Sequence, residues 1–357
     1  MSRSSDNQGT APVREAHRFD AERLSAWMER EVAGFAGPLE VAQFKGGQSN
    51  PTYKLATPGR TYVLRRKPPG RLLAGAHAVE REYRVIAALA GLGFPVPAPL
   101  ALCIDEVVIG TPFYVMDMVE GRIFWETDFP QVPDRERPAY FDAMSLVIAR
   151  LHTIEPMAAG LDDFGKAGDY FERQIARWSK QYLGDVEAGR LDAMDRLVEW
   201  LPANIPSAAR QSEGEARIIH GDFRCDNMVF HAERPEVLAV LDWELSTLGH
   251  PLADFTYHLM MYRMPAGITT GLLGLDLAAL NIPSEAEYIA AYCRRTGCAG
   301  IDDLDFYMAF NMFRLAAILH GIKGRAARGS AASAHAGEMA KRLDPLAALA
   351  WSQVGHG

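Results

Sequence analysis

The hydrophobic pattern changes several times over the first hundred residues. Residues 1–19 are polar and predict a disordered tail. Asp20 is a suitable N-cap for a helix that runs to about Ala33, with Leu24 and Met28 on one face. Short β-rich runs follow, and the Gly-Gly and Pro-Gly turns between them predict consecutive antiparallel strands. These runs are Leu39–Lys45, Pro51–Ala56 and Thr61–Arg65.

A helical period returns between His77 and Ala90, where apolar residues recur at i, i+4 and i+7. Prolines end this helix, and two more strands are predicted at Leu100–Ile104 and Pro112–Met118. We therefore expect residues 20–120 to form an N-terminal, nucleotide-binding lobe: a five-stranded antiparallel sheet with one inserted helix.

The remaining residues, 121–357, predict a second lobe that is mainly α-helical and carries the catalytic loop and the acceptor site. Two short strands, Asn227–His231 and Val237–Leu241, interrupt its helices. A sheet-rich lobe followed by a helical lobe is an α+β arrangement. The predicted helices lie near 134–154, 168–184, 190–201, 251–263, 284–297, 303–325 and 335–351.

Charge and composition narrow the classes of partner. The net charge of −8 and the pI of about 5.7 argue against a general nucleic-acid binder, because binding to phosphate backbones needs an excess of basic residues. The first 121 residues hold 14 basic and 13 acidic side chains, and the others hold 23 and 32. The acidic second part either attracts a cationic substrate or is a solvated surface.

The 4 cysteines form no CxxC pair, which predicts neither a disulfide framework nor a zinc site. The N-terminus has no apolar signal region, and no stretch reaches the roughly 18 apolar residues of a membrane span. We expect a cytoplasmic protein with no membrane partner. Nothing in the sequence indicates an oligomeric state.

The strongest chemical signal is the pattern H-x-D-x-x-x-x-N, formed by His220, Asp222 and Asn227. It stands between an apolar pair and a short strand. A second signal is Asp242, which ends the next strand 15 residues after Asn227. The residue frequencies of this chain give roughly one accidental match to the first pattern per hundred such chains. Together the two signals predict a catalytic loop, a β-hairpin and a metal-binding aspartate.

This set of residues suits phosphoryl transfer, which depends on positioning and charge neutralisation. Asp222 would accept the proton of an acceptor hydroxyl as general base. Asn227 and Asp242 offer the hard oxygen ligands that Mg²⁺ prefers. We therefore predict Asp222, Asn227 and Asp242 as catalytic residues, with ATP and Mg²⁺ as cofactors. The alternative is that these side chains only cap turns and end a strand.

The first lobe supplies candidates for binding the nucleotide phosphates. Gly46 and Gly47 allow backbone N–H groups to approach phosphates closely, and Ser49 and Asn50 complete the loop. A Gly-Gly hairpin is more often only a turn, so this motif gains weight only from the residues that follow it.

Arg65 ends the strand after next, where a cation can reach the phosphates, and Glu82 on the following helix is its candidate partner. Strand alternation puts Arg65 and Lys67 on one face and Arg66 on the other, which leaves open which of the first two contacts the nucleotide. The alternative for Arg65 and Glu82 is an ordinary surface salt bridge. At the end of the lobe, the Asp117 carbonyl and the Val119 N–H are the predicted adenine partners.

These motifs resemble those of the aminoglycoside phosphotransferase-like kinases, a superfamily that includes choline, fructosamine and homoserine kinases. The resemblance runs from about Leu39 to the last helices and includes Leu248–Asp254. It implies a protein-kinase-like two-lobed fold and transfer of the γ-phosphate of ATP to a hydroxyl of a small molecule. It also implies that Asp254 braces the catalytic loop.

Within the superfamily, the chain is most similar to the kinase domain fused to some acyl-CoA dehydrogenases and to its free-standing bacterial relatives. The stretches that carry this likeness are Tyr62–Pro69, Leu245–Gly249 and Phe313–Ile318. It implies a hydroxyacyl-CoA acceptor. A CoA thioester would need basic groups, for which the candidates are Arg314, Lys323, Arg325 and Arg328; the alternative is that these residues form a solvated helix face. The alternatives are a kinase for a cationic alcohol, of the aminoglycoside or choline type, and a catalytically silent nucleotide-binding module.

Overall fold

The computed structural model describes residues 9–45, 50–70, 77–211, 216–266, 268–329 and 336–355. Within these ranges the strands are β1 (Thr10–Ala11), β2 (Glu40–Phe44), β3 (Thr52–Ala56), β4 (Thr61–Arg66), β5 (Pro99–Cys103), β6 (Phe113–Asp117), β7 (Arg217–Ile219), β8 (Met228–Phe230), β9 (Val237–Val240) and β10 (Thr247–Gly249). The helices are α1 (Ala21–Glu31), α2 (Val79–Gly91), α3 (Glu106–Ile109), α4 (Arg137–Thr153), α5 (Tyr170–Gly184), α6 (Asp192–Ala203), α7 (Ser207–Gln211), α8 (Pro251–Leu259), α9 (Glu285–Thr296), α10 (Leu304–Ala327), α11 (Ala336–Ala340) and α12 (Leu343–Ser352).

The chain divides into two compact units that are not continuous in sequence. The first unit contains the residues up to Trp125 together with Ala159–Leu161 and Arg224–Ser246, and the second unit contains the rest. The predicted boundary at residue 120 therefore needs correction, because the hairpin β8–β9 belongs with the N-terminal sheet. Arg122 and Phe230 exchange two backbone hydrogen bonds of 2.8 Å, which tie this hairpin to the end of the first segment.

The first unit is built on an antiparallel sheet with strand order β1-β2-β3-β4-β6-β5, as predicted for the N-terminal lobe, but with one strand more. That strand, β1, corrects the prediction of a disordered tail for the part of residues 1–19 that the structure describes, from Gly9 onward. Thr10 and Ala11 pair with β2, and the Tyr53 hydroxyl donates to the His17 carbonyl at 2.9 Å. The segment is held because it covers an otherwise open sheet edge.

Helix α1 begins where the sequence predicts. One carboxylate oxygen of Asp20 accepts hydrogen bonds from the backbone of Glu22 and Arg23, each 3.0 Å, which satisfies N–H groups that the first turn leaves unpaired. Its apolar face, which includes Leu24 and Trp27, is buried in the core of the first unit. Apolar burial of this kind supplies most of the stability of the helix.

The second unit is mainly helical, and all seven predicted helical regions contain helix. The predicted last helix, 335–351, is divided into α11 and α12. Pro345 lacks a backbone N–H and fits the first turn of a helix but not an interior, so the helix restarts at Leu343. The short elements α7, β7 and β10 were not predicted, and β7 pairs antiparallel with β10. Within the described residues, no helix is both long and apolar enough to cross a membrane.

Candidate active site

A cleft of about 350 Å³ lies within the first unit. The sheet supplies one apolar wall and the hairpin β8–β9 supplies another, while charged and amide side chains gather at one part of the lining. The apolar lining includes Val63, Ile86, Tyr114, Met116, Val229, Val240 and Leu241, and the polar lining includes Arg65, Asp117, Arg224, Asp226, Asn227 and Asp242. An apolar cleft with a few converging polar groups is the usual form of a small-molecule site.

Arg65 is the centre of a charged cluster in this unit. Its Nε lies 2.9 Å from Glu82 Oε2, and its Nη2 lies 2.5 Å from Asp242 Oδ1. Glu244 Oε2 is 3.5 Å from the same Nη2. The pairing of Arg65 with Glu82 that the sequence suggested is present, and it is no surface salt bridge, because the Glu82 side chain is only 1% exposed. Lys67 instead pairs with Glu80, at 2.9 Å, on the more exposed part of α2.

Burial and charge act in opposite directions on this cluster. Burial disfavours the guanidinium of Arg65, but the carboxylates of Asp242 and Glu82 outweigh that effect and raise its pKa. Burial raises the pKa of Glu82, and the charge of Arg65 opposes the rise. Arg65 therefore stays charged, and it is held between acidic side chains at the wall of the cleft.

Asn50, which the sequence predicted as part of the phosphate-binding loop, joins this cluster together with His77, which belongs to no predicted motif. The buried Asn50 amide donates to Glu82 Oε1 at 2.6 Å, and its oxygen lies 2.9 Å from His77 Nδ1. Because the amide NH₂ faces Glu82, the oxygen accepts and His77 Nδ1 donates. The Tyr114 hydroxyl donates to Glu82 Oε2 at 3.1 Å. The contacts of Asn50 and His77 join distant segments, and no local pattern in the sequence predicts them.

Asn227 and Asp242, the predicted metal ligands, line the same cleft. The Leu241 N–H donates to the Asn227 carbonyl at 2.8 Å, which fixes the backbone beside both side chains. Asp242 has φ 64° and ψ 62°, a left-handed conformation that aspartate tolerates better than most residues. Such conformations cluster at functional sites, where the surrounding structure must hold them.

The donor set at this part of the cleft fits Mg²⁺ better than a metal held by protein alone. Among the described residues, no group of three or more histidine, cysteine, aspartate or glutamate side chains is placed to hold a metal ion. Mg²⁺ commonly takes one or two carboxylates and completes its shell with phosphate oxygens and water. Asn227 and Asp242, with Glu244 near Asp242 in the same charged cluster, match that pattern.

The remaining nucleotide-binding predictions have different outcomes. Gly46, Gly47 and Ser49 lie outside the described residues. Asp117 and Val119 both line the cleft. The Asp117 carboxylate is engaged by Arg60 through two hydrogen bonds of 2.6 and 2.8 Å, so only its backbone is a candidate for contacting adenine.

In the second unit, Asp254 binds the backbone just before Asp222. Its carboxylate accepts from the His220 N–H at 2.7 Å and from the Gly221 N–H at 2.8 Å. His152 Nε2 lies 3.2 Å from the same carboxylate. Burial opposes the charge on Asp254, but the hydrogen bonds from His152 and from the His220 N–H outweigh it and lower the pKa of Asp254. The bracing implied by the family resemblance is thus present in the contacts.

His220 and Arg314 also act on this loop from buried positions. His220 is fully buried, and its Nδ1 accepts from the Asp222 N–H at 3.2 Å, as expected for a histidine packed under the loop. Arg314 was a candidate for binding CoA, but the structure buries it and directs its Nη2 to the Gly221 carbonyl at 2.7 Å. Asp222 itself accepts a 2.6 Å hydrogen bond from the Tyr257 hydroxyl.

The structure therefore brings Asn227, Asp242, Arg65, Glu82 and Asn50 together in the first unit. Asp222 belongs to the second unit. The joint action of Asp222 with Asn227 and Asp242 stays a prediction from their spacing in the sequence.

The profile described as "Phosphotransferase enzyme family" matches residues 40–310, which is most of the chain. The chain belongs to the phosphotransferase enzyme family. A solved structure of a Ralstonia eutropha protein, provisionally assigned as an aminoglycoside phosphotransferase, is 51% identical with a TM-score of 0.86 and covers 94% of this chain and 98% of that one. The likeness to the aminoglycoside phosphotransferases inferred from the motifs is thereby confirmed.

Two more comparisons show how far the similarity of this phosphotransferase family member extends. Mouse acyl-CoA dehydrogenase family member 10 is 44% identical over 345 residues, which are 96% of this chain but only 32% of the mouse protein. The chain thus spans about a third of the length of that relative. A thermostable mutant of an aminoglycoside phosphotransferase, solved with AMP-PNP and hygromycin B, is 15% identical with a TM-score of 0.58 and covers 94% of this chain and 99% of that one. It confirms the predicted kinase-like fold.

Proposed function

We propose that this protein transfers the γ-phosphate of ATP to a hydroxyl group of a small molecule. The observation that carries the proposal is the cluster in the first unit, where Arg65 is held by Glu82 and Asp242 on the wall of a cleft that Asn227 also lines. A fixed cation next to hard oxygen ligands suits a nucleotide triphosphate. Several neighbouring structures were solved with nucleotides, namely AMP-PNP, ADP and GDP.

In this proposal the side chains divide the work. Arg65 binds phosphate oxygens, and the Asp117 carbonyl and Val119 N–H bind the base. Asn227 and Asp242 would hold Mg²⁺, which neutralises phosphate charge when it is bound. Asp222 accepts the proton of the acceptor hydroxyl while that oxygen bonds to the γ-phosphorus and ADP departs. Every group is one that this chain provides in a described position.

The acceptor class that we propose is a hydroxyacyl-CoA. The mouse relative carries the name of an acyl-CoA dehydrogenase, and this chain matches about a third of it at 44% identity. Two activities joined in one polypeptide often share a substrate, so a phosphotransferase segment in such a protein favours an acyl-CoA with a hydroxyl to be phosphorylated. Arg314 does not support CoA binding, because it is buried and bound to the catalytic loop.

An acceptor screen tests the proposal. The protein is incubated with ATP, Mg²⁺ and a panel of hydroxyacyl-CoAs, aminoglycosides, choline and homoserine, and products are detected by mass shift. We expect phosphorylation of at least one hydroxyacyl-CoA and no comparable product from the cationic alcohols. A phosphorylated aminoglycoside instead would refute the acceptor class but keep the reaction. ATP binding without any product across the panel would refute the reaction.

A further inference from the structure

Tyr257 on α8 donates a hydrogen bond to the residue proposed as the general base. Its hydroxyl lies 2.6 Å from Asp222 Oδ1, and both residues belong to the second unit. A hydroxyl bonded to an ionised carboxylate forms a short, charge-assisted bond, which is stronger than a bond between neutral groups. The contact joins residues 35 positions apart, and neither the sequence motifs nor the implied family roles include it.

The Tyr257 ring is itself held in place. The guanidinium carbon of Arg314 lies over the ring, 5.2 Å from its centroid, at a distance typical of a cation–π contact. The same guanidinium donates to the Gly221 carbonyl at 2.7 Å. One buried side chain of α10 therefore contacts both the backbone before Asp222 and the ring whose hydroxyl contacts the Asp222 side chain.

Gly221 is the residue around which these contacts meet. Its N–H is bound by Asp254 from α8, and its carbonyl is bound by Arg314 from α10. Its φ of 83° lies in the left-handed region, which glycine adopts without a steric cost. The backbone entering Asp222 is thus fixed on both sides, and Tyr257 extends this control to the carboxylate.

We propose that Tyr257 is a positioning residue for Asp222 and that Arg314 holds Tyr257 against it. This inference rests on the proposed function, in which Asp222 is the base. A carboxylate turns readily about its last side-chain bond, since the torsion between tetrahedral and planar carbon is broad. A hydrogen bond to Oδ1 restricts that rotation and orients the group toward the acceptor proton. Tyr257 keeps its own proton throughout, because the proton of the acceptor hydroxyl passes to Asp222.

Tyr257→Phe removes the hydroxyl and keeps the ring under Arg314. Tyr262 offers a matched control on the segment that follows α8: it is buried, and its hydroxyl has no hydrogen-bond partner among the described residues. We expect Tyr257→Phe to lower kcat about 10- to 100-fold and to leave the KM for ATP unchanged. This loss is smaller than the loss expected when the general base itself is removed. Tyr262→Phe is expected to leave kcat within about twofold. Both are expected to melt within a few degrees of the wild type.

The assay follows ADP release with ATP and Mg²⁺, both with water alone and with 3-hydroxybutyryl-CoA as the acceptor probe. Asp222→Asn is measured beside the tyrosine variants. A kcat for Tyr257→Phe equal to that of the wild type, with Asp222→Asn inactive, overturns the role of Tyr257 and leaves the proposed function standing. An equal fall in Tyr262→Phe, or a fall that follows the melting temperature, assigns Tyr257 a structural role only. Full activity of Asp222→Asn, or no ADP release by the wild type with any acceptor of the screening panel, overturns both.

Discussion

Charged side chains are used differently in the cleft of the first unit and in the catalytic loop of the second unit. In the cleft, Arg65 and its acidic partners bind one another through side chains. In the loop, Asp254 and Arg314 bind backbone groups of Gly221. In the cleft, an anionic ligand can therefore compete with the acidic side chains for Arg65. In the loop, the buried charges of Asp254 and Arg314 fix the conformation of the backbone.

This contrast predicts different effects for substitutions in the cleft and for substitutions around the loop. Changes to the cluster in the cleft should alter nucleotide affinity and local stability together, because each charge there compensates another. Changes around the loop should alter the rate of the chemical step with little effect on nucleotide affinity, because those contacts fix the orientation of Asp222 and not of the nucleotide.

The largest effect is expected from Asp222→Asn. Loss of the base should lower kcat about 10²- to 10⁴-fold while the Kd of ATP stays within about twofold. Stopped-time product assays give kcat, and the ATP-dependent rise in melting temperature gives the Kd. Asp192→Asn, which changes an exposed aspartate of α6, is the control. A large change in the Kd of ATP would contradict the claim that the loop acts on the chemical step and not on ATP binding.

Asp254→Ala should be the most destabilising of the single substitutions. It leaves the buried N–H groups of His220 and Gly221 without their acceptor, for a loss of about 3–5 kcal/mol in the free energy of unfolding. Urea denaturation at neutral pH measures the loss. Asp302→Ala, at an exposed position, should change it by less than about 0.5 kcal/mol. A loss below about 1 kcal/mol would mean that the loop does not depend on this carboxylate.

Two glutamates of α2 sharpen the description of the cleft. Glu82→Gln leaves Arg65 with less compensation in a buried place and should destabilise the protein by about 2–3 kcal/mol. Glu80→Gln removes only the half-exposed pair with Lys67, worth less than about 1 kcal/mol. Glu82→Gln should also weaken ATP binding, because Arg65 loses a partner that orients it. Equal effects of the two substitutions, by urea denaturation and thermal shift, would contradict the buried cluster.

The smallest effect is a pH dependence from His258 under the loop. Burial lowers the pKa of His258 to about 4, and its Nε2 lies 2.7 Å from the Tyr288 hydroxyl. The unfolded chain therefore binds a proton between the two pKa values while the folded chain does not, and stability falls as the pH decreases through 6.5. From pH 7.5 to 5.5 this histidine should account for about 1.4 kcal/mol.

His258→Gln should reduce the fall in unfolding free energy between pH 7.5 and 5.5 by that amount, measured by urea denaturation at four pH values. His231→Gln serves as the comparison, since it leaves the buried histidines in place. An unchanged slope in His258→Gln would show that His258 does not contribute as inferred.

The sequence predicted the parts of the molecule that depend on local patterns. Asp20 caps its helix, the β-rich runs form the sheet, and the spacing of Asn227 and Asp242 places both on one cleft. Strand β1 was not predicted, because two residues are too few to show an alternating hydrophobic pattern and because it pairs with a strand about 30 residues away in the sequence. The contacts of Tyr257 and Arg314 were not predicted either, since helices far apart in sequence bring them to the loop.

The first unit is built from three separate segments of the chain, because Ala159–Leu161 and Arg224–Ser246 belong with the N-terminal segment. A fragment that ends at Trp125 would therefore lack the hairpin that carries Asn227 and Asp242. Gene fragments cut at the apparent boundary would yield a nucleotide cleft with one wall missing. A domain transplant from this protein must therefore include the hairpin β8–β9. A split-protein reporter should divide the chain after residue 246, so that the hairpin stays with the N-terminal sheet.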